Sequence, residues 1–156
     1  MLECPSSRCE CCSSCCSSVL RLLGRICLAA IFILSGIGKI LNPADTAAYM
    51  AAKGMSMIPF FLYSAAAVEI LGGLSLLLGY KARWGSLLLL LFLIPTTLIF
   101  HNFWSVPPEA SKMEMINFLK NLAIFGGLLY TLSIGPGKIS LESCRMMPNE
   151  NNKYTN

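Results

Sequence analysis

Residues 87–104, LLLLLFLIPTTLIFHNFW, are an apolar run that closes on His101, Asn102 and Trp104. A helix needs about 20 largely apolar residues to cross the hydrocarbon layer of a bilayer. Inside that layer each backbone N–H and C=O must be satisfied within the protein, so a run of this length folds as a helix. The rest of the chain shares the constraint. Hydrophobic residues make up 55% of the 156 and charged residues 13%, against about a quarter charged in soluble domains. Residues 19–41, 58–80 and 111–134 are further stretches of spanning length. The expected fold is all-α and integral to the membrane: one up-and-down bundle of four transmembrane helices at residues 19–134.

Between the first two spans, NPADTAAYMAAKG (residues 42–54) predicts a short interfacial helix. Asn42 stands at the N-cap, Pro43 at the first helical position and Asp45 in the first turn, where a negative charge is favoured. Gly54 supplies the stop. Ser111-Lys112-Met113-Glu114 has capping-box spacing and predicts the start of the fourth helix. Pro95 falls inside the third span, where neighbouring helices can satisfy the carbonyl it frees. Arg21 and Arg25 lie in the first turns of the first span and are expected to snorkel toward headgroups.

The flanks read as tails. Residues 1–18 hold six of the eight cysteines and show no helical or strand period, so they are expected to be a disordered Cys/Ser-rich tail. Their CxxC spacings lack a second cluster or a nearby histidine, and no metal site is expected. Residues 135–156 are polar and expected to be loose. The net charge of +4 is scattered, which argues against nucleic acid as a partner. Eight Lys and Arg fall on the side of the termini and four on the other. The positive-inside rule then places both termini in the cytoplasm.

Several polar groups are expected at the outer half of the bundle. Glu69 lies in the middle of the second span, roughly 15 Å from its start at about 1.5 Å per residue. A carboxyl at that depth calls for a proton or a cation. Lys39 and Lys120, the two lysines within the spans, are both candidate partners. His101, the chain's one histidine, Asn102 and Asn121 come to a similar level, and Asn42 lies close by. The Ser35-Gly36-Ile37-Gly38 segment permits close helix approach rather than phosphate binding, because Ile40 stands where a phosphate loop needs Ser or Thr.

Four stretches taken in order, RLLGRICLAAIFILSGIGKILNPADTAAYMAAKGM, VEILGGLSLLLGYKARWGSLLLL, TLIFHNFW and NFLKNLAIFGGLLY, resemble the DoxX family of small four-helix membrane proteins. The resemblance covers residues 19–134. Gly38, Lys39, Asn42, Pro43, Glu69, Gly72, Gly73, His101, Asn102, Lys120 and Asn121 match its defining positions. It implies a bacterial inner-membrane location and association with quinol oxidation, thiosulfate:quinone oxidoreduction or thiol homeostasis. The Cys-rich leader lies outside that pattern.

Chemistry narrows the implication. One histidine cannot supply two axial haem ligands, and no CxxCH is present. A copper or iron oxidase centre would need more ligands than this chain offers. The chain is therefore not expected to be an independent enzyme. A quinone needs an apolar groove and a few hydrogen-bonding groups, which Lys39, Glu69, His101, Lys120 and the amides could provide. The favoured expectation is a non-haem accessory subunit of a quinone-linked or thiol/sulfur redox system, with the bilayer and oxidoreductase subunits, or further copies of itself, as partners. The alternatives are a small-solute or proton carrier using Glu69, and a structural partner in a larger complex.

Overall fold

The computed structural model describes residues 6–146, with side chains for residues 16–145. Six helices follow in order: α1 (Ser6–Leu41), α2 (Pro43–Ala52), α3 (Ile58–Leu78), α4 (Ala82–Phe100), α5 (Pro108–Ile134) and α6 (Leu141–Met146). A single 3-10 turn, Phe103–Ser105, links α4 to α5. No strand forms among the described residues. Helices over Cys16–Leu41, Ile58–Leu78, Ala82–Ser105 and Pro108–Ile134 are long and apolar enough to cross a membrane.

α1 packs along α3, α3 along α4 and α4 along α5, with a slighter contact between α1 and α5. Phe32, Leu76, Leu89, Leu93 and Leu128 from all four helices meet in one buried core. Small residues set the spacing. A methyl group on Gly36 would lie 3.0 Å from the Ala66 carbonyl oxygen, and one on Gly73 only 2.7 Å from Ile33. The two contacts bring the α1 and α3 backbones together, as small residues do between membrane helices. Leu34, Leu71 and Leu91 instead point outward and are more than 60% exposed. In a bilayer that surface meets lipid tails.

Several boundaries differ from the sequence reading. α1 begins at Ser6, because no Gly or Pro interrupts residues 6–23, whereas residues 1–18 are expected as a loose tail. The side chains of Cys9, Cys12 and Cys15 lie outside the described residues. α5 starts at Pro108, so the capping box does not form. Two prolines pre-set the helical entry earlier, and Ser111 Oγ donates instead to the Phe103 carbonyl at 3.0 Å. Asn42 does occupy the α2 N-cap, but its side chain makes no capping bond.

Arg25 departs furthest from expectation. Rather than snorkelling, it is 3% exposed and donates to the carbonyls of Leu76 at 3.0 Å, Leu77 at 3.3 Å, Ile139 at 3.0 Å, and Pro136. Two of these belong to the last turn of α3, which carries the negative end of the dipole. The other two belong to the turn after α5. Residues 135–140 are thus held against the bundle, and residues 147–156 lie outside the described residues.

The Gly36 contact predicts a contrast. Gly36→Ala should lower stability in detergent by about 1–2 kcal/mol, because overpacking outweighs the roughly 1 kcal/mol gain in helix propensity. Gly38→Ala, which meets nothing within 4 Å, should be neutral or slightly stabilising. Paired thermal melts of the two variants read the difference.

Candidate functional site

The half of the bundle away from the termini holds a partly open cavity of about 740 Å³, a size typical of small-molecule sites. α1, α2, α3, α4 and α5 all contribute to its wall. Phe32, Phe61, Val68, Phe92 and Ile124 supply apolar surface. Into this surface project Lys39 and Glu69. Lys39 Nζ lies 2.8 Å from Glu69 Oε2 and 3.0 Å from Oε1. Ser35 completes the group: its hydroxyl donates to Glu69 Oε1 at 3.2 Å and accepts from Lys39 Nζ at 2.8 Å. Ser35 and Lys39 share a face of α1 because they lie one turn apart. The Gly36 contact brings that face against α3.

Both side chains of the pair are largely buried, 19% exposed for Lys39 and 6% for Glu69. Two charges removed from water are tolerated only with close geometry and further hydrogen bonds. This arrangement provides both. It also leaves the pair lining an open space, so a guest molecule would meet a donor and an acceptor at adjacent points.

α2 crosses the mouth. Its Asp45, Thr46, Tyr49 and Met50 line the cavity. Tyr49 stacks on Phe100 with ring centroids 5.3 Å apart, and its hydroxyl donates to the Phe100 carbonyl at 3.2 Å. Burial first, and then the Glu114 carboxylate, hold the Tyr49 phenol above its ordinary pKa, so it remains a donor. Lys53 Nζ donates to the Asn102 side-chain oxygen at 3.2 Å, tying the other end of α2 to the α4–α5 connection. His101 Nδ1 lies 2.9 Å from Glu114 Oε2. The contact lies within hydrogen-bond distance and links the end of α4 to α5 at the mouth.

Of the polar residues picked out in the sequence, Lys39, Glu69, His101 and Asn121 line the cavity. Asn121 donates to Thr97 Oγ1 at 3.0 Å. Asn102 is held at the mouth by Lys53, and Asn42 is exposed outside the cavity. Lys120 is exposed on the outer face of α5 and takes no part in the pair. Geometry thereby decides between the two lysines. Ser35, Tyr49 and Glu114 were absent from the expected set. Ser35 was open to detection through its spacing from Lys39, whereas Glu114 has the sequence signature of a cap.

These features define a multi-pass membrane protein with a charged pair set in an apolar cavity. The chain belongs to the DoxX family, whose model matches residues 20–102. It is 34% identical to inner membrane protein YphA of Escherichia coli over 124 residues, covering 80% of this chain and 89% of that protein. It is 35% identical to inner membrane protein YqjF of the same organism, over 78% of this chain and 88% of that protein. A Surfeit locus protein 4 homolog of Schizosaccharomyces pombe shares 39% identity over 42% of this chain and 22% of its own length. No solved structure matches the chain. The inner-membrane relatives and the four apolar helices together support a multi-pass inner-membrane location.

Removing one partner of the pair should strand the other. Glu69→Gln should cost about 3 kcal/mol, and adding Lys39→Met should recover more than half of that loss. Glu69→Gln combined with Lys120→Met should be additive within about 0.5 kcal/mol. Thermal unfolding in detergent across both cycles measures the couplings.

Proposed function

We propose that this protein is an accessory subunit of a membrane redox system and that its cavity receives the head of a quinone. The observation that carries the reading is the Lys39–Glu69 pair on the wall of a large apolar cavity. The residues present fit such a group. Phe61, Phe92 and Phe100 offer flat apolar surface, Lys39 can donate to a carbonyl oxygen, and Glu69 can accept from a hydroxyl. When bound, a quinone would supply two-electron, two-proton chemistry. The chain's own part is to bind the ring, exclude water from it and hold a proton at Lys39 or Glu69. His101, paired with Glu114 at the mouth, lies where a proton would pass between the cavity and water. Electrons would come from a partner oxidoreductase subunit.

In this reading both termini lie in the cytoplasm and the cavity mouth faces outward, as the distribution of Lys and Arg favours. A cysteine-free variant carrying one cysteine at Ala110 should label with an impermeant thiol reagent in intact cells, and one carrying it at Asn151 should not. The reverse pattern would turn the mouth toward the cytoplasm.

The functional test starts from native membranes. Protein purified in lipid nanodiscs should retain quinone, and Lys39→Met or Glu69→Gln should lower the retained amount about tenfold, while Lys120→Met should not. Absence of quinone from the wild type, together with solute or proton flux through the purified protein in liposomes, would replace this reading with a carrier.

A further inference from the structure

A second, smaller hollow of about 180 Å³ lies on the seam between α4 and α5. It is lined by apolar side chains apart from Thr97 and Asn121. Ile94, Leu98 and Leu122 on its rim are 46%, 50% and 55% exposed, so the groove opens on the surface that meets lipid. Leu93 and Asn121 line both this groove and the central cavity. The two spaces therefore share these side chains as a common wall. α4 turns Phe92 and Thr96 to the cavity and Ile94 and Leu98 to the groove.

The wall sits beside Pro95, where the hydrogen-bond ladder of α4 is interrupted. Pro95 has no N–H to give to the Leu91 carbonyl. One residue on, Thr96 Oγ1 bonds back to the Phe92 carbonyl at 2.8 Å, a contact that tends to bend helices. Across the seam the wall is closed by one side-chain hydrogen bond, from Asn121 Nδ2 to Thr97 Oγ1.

We infer that this seam is a lateral portal, and that the cavity's ligand is a tailed amphipath whose polar head lies against Lys39 and Glu69. Its alkyl or prenyl tail leaves between Leu93 and Asn121 and lies in the groove toward the bilayer. The inference rests on the cavity being a ligand site, as proposed above. The mouth carries Asp45 and the His101–Glu114 pair and is a polar exit for a long tail. The seam offers an apolar one.

The test uses the full chain in lipid nanodiscs and two probes. One is a tailless benzoquinone; the other is the same ring with a decyl tail ending in a photoreactive diazirine. Adducts from the tailed probe should map to Ile94, Leu98 and Leu122. Excess tailless quinone and the Lys39→Met change should each reduce them at least fivefold. Filling the groove with Leu98→Trp and Leu122→Trp should abolish these adducts while leaving binding of the tailless ring within twofold of wild type, which also shows that the variant is folded. Adducts on other helices, or labelling unchanged in the filled variant, would overturn the portal and leave the cavity reading standing. Groove labelling insensitive to both the competitor and Lys39→Met would overturn it too, showing ordinary lipid contact. If the tailless ring fails to bind the wild type at all, the cavity reading falls and the portal with it.

Discussion

The Lys39–Glu69 pair places the strictest demand on the rest of the bundle, because each charge alone would be costly at that depth. The demand is met by proximity. Lys39 Nζ reaches both carboxylate oxygens within 3.0 Å, and Ser35 bonds to both partners. That geometry requires α1 and α3 to lie almost backbone to backbone. Gly36 and Gly73 allow it, since a methyl group at either would strike the opposite helix. A larger residue at Gly36 would push Lys39 away from its partner and convert a satisfied pair into two buried charges. Small residues and charged residues in these helices are thus parts of one device.

The opposite end is closed by different chemistry. Arg25 has no carboxylate in its hydrogen bonds and is satisfied by main-chain carbonyls from two segments. The negative end of the α3 dipole makes those carbonyls better acceptors for a cation. Gly79, in the left-handed region at φ +65°, keeps the chain clear of the guanidinium, since a side chain there would lie 2.9 Å from its nitrogens. One end of the bundle is therefore pinned by a side chain that binds backbone. The other is left open around an ion pair and bridged by α2 through Tyr49 and Lys53. The two ends of the bundle are thus built on different chemistry, main-chain capping at one and an ion pair beside a cavity at the other.

Much of this was legible in the chain. Spanning runs impose helices whatever their partners, so the four spans and the short helix after Asn42 could be read from composition and from Pro and Gly placement. The depth of Glu69 also called for a proton or a cation, although sequence alone could not choose between these or between Lys39 and Lys120. The choice depends on helix rotation, and the outer-facing rotation of α5 removes Lys120. Ser111 and Glu114 misled for a related reason. Their spacing suits a cap, but Pro107 and Pro108 start α5 earlier, leaving Ser111 to bond Phe103 and Glu114 to meet His101. Arg25 was unreadable because its partners are carbonyls far away in sequence, which leave no side-chain signature.

The extent of the family match separates two layers of the site. Residues 20–102 contain both members of the ion pair, the α2 bridge and His101. The α5 contribution lies beyond that stretch: Asn121 and Ile124 on the cavity wall, and Glu114 against His101. An anchor for a polar head can be supplied by α1 and α3 alone, because the pair and Ser35 all sit there. What α5 adds is Asn121 and Ile124 on the cavity wall, the seam with α4, and Glu114 beside His101. Substitutions in α1 or α3 that disturb the pair act on the whole site. In this bundle the ion pair is set by α1 and α3, while α3 and α4 furnish most of the apolar wall around it.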